Sequence, residues 1–229
     1  MNVCLIPARK NSKRIKNKNI ISFFGKPLIA YAIETAKKSN LFDKIIVSTD
    51  SKKIAQIAKK YGAETPFLRP KKISSDFAND NDVINHFVKF YNSKNIKINY
   101  LCYLYPVNPL LKISTLVKCK KLLEKNNCHK VMTIAKFDYP IQRGLVLNAR
   151  GNLSFLNNKY KNYRSQDLTQ CYQDAAQCYW YNLKKIKKLK TVKTMKTKAV
   201  ELKSFEFCDV DTHNDLQKLR KIFQYKLMS

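Results

Sequence analysis

The amino-acid sequence predicts an α/β fold, a three-layer α/β/α sandwich in which helices cover both faces of a mostly parallel sheet. Short apolar runs of strand length alternate along the chain with segments whose apolar residues recur at helical spacing. The length of 229 residues and an apolar content of 45% suit one domain with a sizeable core, with room for an inserted lobe. We therefore expect residues 1–229 to form a single domain.

The first strand is the apolar run that begins at Asn2. It ends abruptly in a loop that carries six cations between Arg9 and Lys18 and no acid. Because open α/β sheets bind ligands at the carboxyl ends of their strands, this basic loop is a candidate site for a polyphosphate. The P-loop pattern G-x-x-x-x-G-K-[ST] is absent. The alternative, on charge alone, is an ordinary solvated surface loop.

The remaining elements follow in chain order. A first helix is expected to open at Pro27, and a second to be capped by Asp50 and to end at Gly62. A third helix is expected near Asp80 and a fourth after a Ser114 cap. We expect buried strands at 44–49, 64–68, 100–105 and 131–135.

The alternation of strands and helices stops after residue 136. Residues 144–155 are predicted to form a β-hairpin with its turn at 148–152. Residues 184–198 are strongly basic, which predicts a solvated segment.

The net charge of +29 suggests nucleic-acid binding as a function of a different class. However, the lysines are spread over nearly every predicted helix and loop. The sequence also lacks a C₂H₂ pattern, an RNP-like motif and a basic heptad helix. We therefore expect general attraction to anions rather than specific recognition of nucleic acid.

Further expectations concern location. No apolar run approaches a membrane span and no signal peptide is evident, which predicts a cytoplasmic protein without a membrane partner. The seven cysteines, an odd number without a C-x-x-C pair, indicate buried free thiols in a reducing compartment rather than disulfides or zinc ligands.

Two acids stand two positions apart near the end of the sequence. In an extended segment Asp209 and Asp211 point to one face, and such a pair suits Mg²⁺, which takes one or two carboxylates plus substrate phosphates. The alternative is a helix start, with Thr212 as the cap and Asp215 three residues on. Both interpretations can hold together.

The basic loop resembles a known motif. The cytidylyltransferases of acidic sugars, a group of the sugar nucleotidyltransferases, carry I-P-A-R-x-x-S-K-R/G-x-x-x-K-N, which residues 6–19 match closely. The resemblance implies a Rossmann-like sheet and CTP as substrate, with catalytic roles for Arg9 and Lys18. Many relatives have a Gly pair where this chain has Lys10 and Asn11, so the loop backbone is expected to differ. The residues implied to bind the nucleotide here are Ala8, Arg9, Asn11, Ser12, Lys13 and Asn19.

A second part of the nucleotide site is implied farther along the chain. Relatives carry L-R-P followed by a loop of small and acidic residues that holds the cytosine and ribose. Here the matching residues are Leu68, Arg69 and Pro70. The resemblance implies that Arg69, Ala78 and Asp80 read the base, whereas an ordinary loop is the alternative.

The second half resembles the pseudaminic acid cytidylyltransferases. Their segments P-I-Q-R, R-S-Q-D-L and D-A-G-Q-x-Y-W are matched at 140–143, 164–168 and 174–180, with Ala176 where glycine is expected. Sialic acid enzymes usually have N-G-A-x-Y at the last place. Arg164 is the implied partner of the sugar carboxylate, and a polar dimer interface is the alternative role of this region. The residues implied to bind the sugar are Tyr105, Gln142, Arg143, Arg164, Gln166, Asp174 and Gln177.

The resemblance implies transfer of CMP from CTP to the anomeric hydroxyl of pseudaminic acid, an acidic nine-carbon sugar, with release of diphosphate. The product would serve surface glycans or flagellin glycosylation, and Mg²⁺ on Asp209 and Asp211 is the expected cofactor. The nearest alternative is the same reaction on N-acetylneuraminate, legionaminate or a Kdo-like sugar. In relatives a lobe inserted at about residues 144–164 reaches a second subunit, which implies a homodimer.

Overall fold

The computed structural model describes residues 1–126, 128–186 and 195–228. Its strands are β1 (Asn2–Pro7), β2 (Ser22–Phe23), β3 (Lys26–Pro27), β4 (Lys44–Ser48), β5 (Tyr100–Leu104), β6 (Lys130–Lys136), β7 (Leu145–Leu147), β8 (Leu153–Phe155), β9 (Tyr172–Asn182) and β10 (Thr197–Leu202). Its α-helices are α1 (Leu28–Lys38), α2 (Lys52–Lys60), α3 (Asp80–Asn92), α4 (Ile113–Lys125) and α5 (His213–Met228). In this part of the chain no helix has both the length and the apolar character needed to cross a bilayer.

The central sheet has six strands in the order β10-β6-β9-β5-β1-β4. Strand β1 pairs in parallel with β4 and β5, and β6 pairs in parallel with β10. Strand β9 lies between β5 and β6 and is antiparallel to both. The prediction of a mostly parallel α/β sheet is therefore confirmed.

Alternation along β1 explains the three layers. Cys4 and Ile6 belong to an apolar cluster that contains the inner faces of α1, α2 and α4. Val3 and Leu5 point the other way, into a cluster with the inner face of α3. Because both faces of the sheet are covered, the central strands are continuous apolar runs in the sequence.

Three local predictions are wrong. No regular strand forms at 64–68, where the described backbone makes only isolated bridges from Glu64 and Leu68; Pro66 lies between them and cannot donate to a ladder. Ser51 rather than Asp50 caps α2, because its side chain accepts a hydrogen bond from the N–H of Ile54. The fourth helix begins at Ile113, so Ser114 lies inside it.

The predicted hairpin at 144–155 is confirmed as β7 and β8, which pair with each other rather than with the central sheet. Large apolar side chains cover its surface: Leu147 is 67% exposed and Leu153 66% exposed. Of the predicted solvated segment at 184–198, residues 187–194 lie outside the described part of the chain, and residues 197 and 198 begin β10.

A bulge interrupts β9 where it pairs with β6. Met132 pairs with Tyr179, whereas Ile134 pairs with Asp174, so several residues of β9 lie opposite one residue of β6. At the bulge Ala176 has a φ of +47°, in the left-handed region. Bulges of this kind redirect a strand near functional sites, and this one brings Ala176 to the edge of the cavity described below.

Candidate active site

A cavity of about 620 Å³ opens at the carboxyl ends of β1 and β5. Residues from separate parts of the chain meet there: the basic loop after β1, the segment between Arg69 and α3, the end of β5, the bulge of β9 and the segment before α5. The side chains that matter most for its chemistry are Arg9, Ser12, Lys13, Arg14, Lys18, Asn19, Arg69, Asp76, Asp80, Tyr103, Tyr105, Asp209 and Asp211.

The basic loop, residues 9–19, is anchored by two buried side chains, Ile15 and Asn19. Ile15 is buried in an apolar cluster with Leu216 and Phe223 of α5. The buried Asn19 donates from Nδ2 to the carbonyl oxygen of Arg9 at 3.0 Å, which joins the two ends of the loop. These anchors hold the loop beside the cavity, which Arg9, Lys13, Arg14 and Lys18 line, whereas Lys10 and Lys16 are exposed and do not line it.

Not every residue predicted to bind the nucleotide through this loop lines the cavity. Arg9, Ser12, Lys13, Lys18 and Asn19 all line the cavity, as their assignment to the nucleotide requires. Ala8 is fully buried, with its N–H donating to the carbonyl of Ser48 at 2.9 Å, and is not among the lining residues. The exposed Asn11 also falls outside the lining.

Arg69 is a buried cation in the wall of the cavity, only 6% exposed. Its Nε donates to Ser74 Oγ at 3.2 Å, and its backbone N–H donates to the carbonyl of Thr49 at 2.7 Å. Burial lowers the pKa of the guanidinium from its usual value, yet arginine stays charged in proteins. The wall therefore presents a fixed positive charge to any anion in the cavity.

Asp80 begins α3 and is held by two tyrosines. Tyr103 donates to Oδ1 at 2.8 Å, and Tyr105 donates to Oδ2 at 2.7 Å. Burial is the main reason why the pKa of each tyrosine hydroxyl is raised, so both remain protonated donors. Because each carboxylate oxygen of Asp80 already accepts a hydrogen bond, its position is defined before any ligand arrives.

The two predicted metal ligands lie on the cavity wall facing the basic loop. Arg14 donates to Asp211 Oδ2 at 2.8 Å, and Lys18 donates to Asp211 Oδ1 at 3.3 Å. Burial, and after it the neighbouring Asp211, raises the pKa of Asp209. A cation between the two acids would relieve this repulsion.

The carboxylates of Asp209 and Asp211 fit an Mg²⁺ ion that also takes ligands from a bound phosphate. Across the described ranges, no group of three or more His, Cys, Asp or Glu side chains is arranged to hold a metal by itself. A pair of carboxylates beside a phosphate-sized cavity is the arrangement in which Mg²⁺ takes its other ligands from phosphate and water. The helix-start interpretation of the same segment is confirmed, since Thr212 Oγ1 accepts from the N–H of Asp215 at 3.2 Å.

Most residues predicted to bind the sugar do not line this cavity. Gln142 Nε2 donates to the carbonyl of Thr169 at 2.7 Å. Arg164 is engaged with Asp167 through two hydrogen bonds of 2.7 and 3.0 Å. The remaining residues of this set that do not line the cavity are Arg143, Gln166, Asp174 and Gln177, whereas Tyr105 does line it.

Gln177 and Asp174 have structural partners of their own. Gln177 is 1% exposed, and its Nε2 donates to the carbonyl of Glu206 at 2.6 Å, so the side chain supports the segment leading to Asp209 from behind. Asp174 accepts from Tyr179 at 2.8 Å and from the N–H of Ala176 at 2.9 Å. To contact a sugar directly, Gln177 would have to break its hydrogen bond to Glu206 and become exposed.

Sequence reasoning missed three residues of the cavity. Tyr103 stands two positions before Tyr105, and this period-two spacing on a strand would have placed both on one face. Arg14 matched the motif but received no role. Asp76, which binds cations of the basic loop, carried no signal because its loop has no periodicity.

Known proteins are similar to this chain over most of its length. The family model described as cytidylyltransferase matches residues 3–228 of the chain. The chain is 36% identical over 223 residues to a pseudaminic acid cytidylyltransferase of Campylobacter jejuni subsp. jejuni serotype O:23/36 (strain 81-176), covering 97% of this chain and 96% of that protein. It is 32% identical over 177 residues to an N-acylneuraminate cytidylyltransferase of Escherichia coli O18:K1:H7 (strain RS218 / NMEC), covering 76% of this chain and 41% of that protein.

A solved structure shares the fold. It is a CMP:2-keto-3-deoxy-manno-octonic acid synthetase complexed with CTP, with a TM-score of 0.69 and 16% identity. The superposition covers 98% of this chain and 99% of that chain.

Proposed function

The chain belongs to the cytidylyltransferase family, and on that premise we propose that it transfers CMP from CTP to the anomeric hydroxyl of pseudaminic acid, releasing diphosphate. The observation that carries the proposal is the meeting, in one cavity, of the basic loop with the two acids Asp209 and Asp211. A triphosphate needs both halves: cations for its oxygens and carboxylates for the metal ion that accompanies it.

The nucleotide phosphates lie along the basic loop in this proposal. Arg9, Lys13 and Lys18 provide cationic donors to the cavity, and the buried Arg69 provides a fixed charge in its wall. Such preorganised charges stabilise the negative charge that shifts among the phosphates during transfer. This position supports the proposed catalytic roles of Arg9 and Lys18.

The base lies toward α3. Ala78 and Asp80 line that end of the cavity, and both oxygens of Asp80 are held by Tyr103 and Tyr105. A carboxylate held in one orientation suits the discrimination of a polar base edge, because its acceptors cannot rotate to suit another base. This arrangement supports the choice of CTP.

Mg²⁺ is the proposed cofactor, held by Asp209 and Asp211. When bound, it would neutralise phosphate charge and fix the orientation of the phosphate chain. Lys18 and Arg14 lie against Asp211, and their release toward phosphate oxygens frees this carboxylate. The chemical step is an in-line attack of the sugar hydroxyl on the α-phosphorus, for which the chain's task is mainly positioning.

In this proposal the sugar lies next to the base, where Ala176 lines the cavity beside Tyr105, one of the two tyrosines that hold Asp80. Gln142, Arg143, Arg164 and Gln166 lie outside the cavity of a single chain. We therefore assign them a role in an assembled homodimer, in which the exposed hairpin and its flanks, residues 144–164, pack against a second subunit. The proposed location is the cytoplasm, which suits seven free thiols.

The proposal is tested by diphosphate release from CTP with a panel of acidic sugars. We expect kcat/KM for pseudaminate to exceed that for N-acetylneuraminate, legionaminate and a Kdo-like sugar by at least about tenfold, because unpaired polar groups reject analogues strongly. Release should fall to background without sugar and after chelation of divalent ions. A higher efficiency with any competitor would replace pseudaminate as the substrate, and sugar-independent release would contradict transfer altogether.

A further inference from the structure

Asp76 lies between two cations of the basic loop. Its Oδ1 accepts a hydrogen bond from Arg9 Nη1 at 2.7 Å, and its Oδ2 is 2.7 Å from Lys13 Nζ. Lys13 and then Arg9 hold the pKa of Asp76 below its usual range, so the carboxylate is ionised at neutral pH. A planar group with two charged oxygens thus occupies the place where the proposed function puts nucleotide phosphate oxygens.

The loop that carries Asp76 is anchored at both ends. On one side, Ser74 accepts from Arg69 Nε at 3.2 Å and donates to the carbonyl of Pro70 at 3.0 Å. On the other side, Asn79 and Asp82 form a capping box at the start of α3. Between these anchors the tip carries Asp76 and Phe77, and Phe77 is 97% exposed. Displacing the Asp76 carboxylate from Arg9 and Lys13 therefore breaks none of these anchoring hydrogen bonds.

We propose that Asp76 is an internal counter-ion of the phosphate site, which neutralises Arg9 and Lys13 until nucleotide phosphates displace it. The inference rests on the proposed function, because it needs these two cations to bind the nucleotide. Asp76 and Arg9 are each more than one third exposed, and exposed ion pairs are weak, so a triphosphate with several charges can displace one carboxylate. Asp76 thereby sets the affinity of the site and disfavours anions of low charge.

The first test measures binding rather than turnover. Dissociation constants for CTP and for inorganic diphosphate are determined by titration calorimetry without divalent ions, for the unaltered chain and for Asp76→Asn. We expect Asp76→Asn to bind both ligands about two- to tenfold more tightly, since a competing charge is removed. Equal or weaker binding by Asp76→Asn would overturn the inference.

Asp82→Asn is the matched control. It makes the same change in net charge in the same segment, and its side-chain oxygen can still accept from the N–H of Asn79. Because Asp82 does not pair with the basic loop, binding should be unchanged. Tightening by the control equal to that of Asp76→Asn would assign the effect to overall charge and would overturn the specific role of Asp76.

A second test follows the loop tip itself. The sequence has one tryptophan, Trp180, which is fully buried, so Phe77→Trp adds an exposed fluorophore at the tip. CTP should shift the emission of Phe77→Trp as Asp76 is displaced. In the double variant Asp76→Asn/Phe77→Trp the emission should already be shifted without CTP. If the emission is the same with and without CTP, or the same in the single and the double variant, displacement of Asp76 is contradicted.

Arg9→Ala separates failure of the inference from failure of the proposed function. If Arg9→Ala weakens CTP binding while Asp76→Asn leaves it unchanged, the phosphate site stands and only the counter-ion role is wrong. If Arg9→Ala binds CTP as tightly as the unaltered chain, the basic loop is not the phosphate site and both proposals fall.

Discussion

At residue 176 the backbone adopts a conformation that alanine rarely accepts. The φ of +47° lies in the left-handed region, where a Cβ meets the following carbonyl oxygen. Glycine is the residue that the resemblance to the pseudaminic acid enzymes leads one to expect there, and the structure gives the physical reason. The strain is held by neighbours on both sides, because Asp174 accepts from the N–H of Ala176 and Asn108 donates to its carbonyl.

We therefore predict that Ala176→Gly stabilises the protein by up to about 1 kcal/mol, since relief of the left-handed conformation exceeds the added entropy of the unfolded chain. Urea unfolding of the purified variant measures this change. The matched control is Ala175→Gly. Ala175 has a buried methyl group and no positive φ, so this substitution should lower the free energy of unfolding by about 1–2 kcal/mol. A loss of stability in Ala176→Gly as large as that in the control would contradict the strain.

Among the elements, the hairpin formed by β7 and β8 has an apolar surface that the described part of the chain leaves exposed. Leu147 and Leu153 are directly paired across its two strands, and both are about two-thirds exposed. A two-stranded hairpin is marginal by itself in water. Packing against a second copy of the chain would supply the missing burial.

We predict that the double variant Leu147→Lys/Leu153→Lys weakens the proposed dimer by at least about 100-fold in Kd, because each leucine contributes about 1.5–3 kcal/mol when fully buried. Analytical ultracentrifugation over a concentration series measures the association. The control Leu227→Lys changes a leucine of similar exposure on α5 and should leave association unaltered. A monomeric parent chain, or an equal effect of both variants, would refute the role of the lobe.

A second element-scale feature is the tether between the start of α4 and the segment that leads to Asp209. Lys112 binds Glu206 at 2.6 Å, and this hydrogen bond is the main reason why the pKa of Glu206 is lowered from its ordinary value of 4.5. A carboxyl whose pKa is lowered by folding stabilises the fold above its unfolded-state pKa. That stabilisation is lost as the pH falls through the lower folded-state value.

We predict that Lys112→Met flattens the dependence of unfolding free energy on pH between about pH 6 and 3. The effect should be about 0.5 kcal/mol because Lys112 is half exposed and solvent screens the pair. Urea unfolding at several pH values provides the measurement. The same substitution at Lys120, which pairs with Glu124 one helical turn away at the longer distance of 3.4 Å, should leave the slope close to that of the parent chain.

For the whole molecule, the sequence sufficed for most of the central sheet. Strands such as β1 and β5 are buried on both faces, so their order in the sequence appears directly as apolar runs. Strand β9 gave no such signal, because its first half is polar and bulged and its place between β5 and β6 depends on pairing across the molecule. The strand expected at 64–68 failed because Pro66 outweighs the local β-propensity.

The residues of the candidate site likewise fall into those that the sequence predicted and those that it did not. Arg9 and Lys18 could be found because a cation-rich loop follows a buried strand, and Asp209 and Asp211 because of their two-residue spacing, whereas Arg69 and Asp80 were implied by the resemblance to the family motif. Asp76 could not be found, because its contact with Arg9 depends on the path of an irregular loop. The distant placement of Arg164 likewise follows from the hairpin, which leaves the central sheet and gives its flanks no fixed register with the cavity.

The partners of the basic loop lie at very different distances along the sequence, so they are synthesised at different times. Lys18 binds the carbonyl of Val210, which is separated from it by 192 positions, whereas Asp76 follows Arg9 by only 67. At a synthesis rate of about 5–20 residues per second, Asp76 emerges about 3–13 s after Arg9, and Val210 about 10–40 s after Lys18. During translation, Asp76 is therefore synthesised well before Asp209 and Asp211, and so are its partners Arg9 and Lys13. A nascent chain of this length thus already contains the proposed counter-ion of Arg9 and Lys13, while Asp211, the acid that pairs with Arg14 and Lys18, has not yet been synthesised.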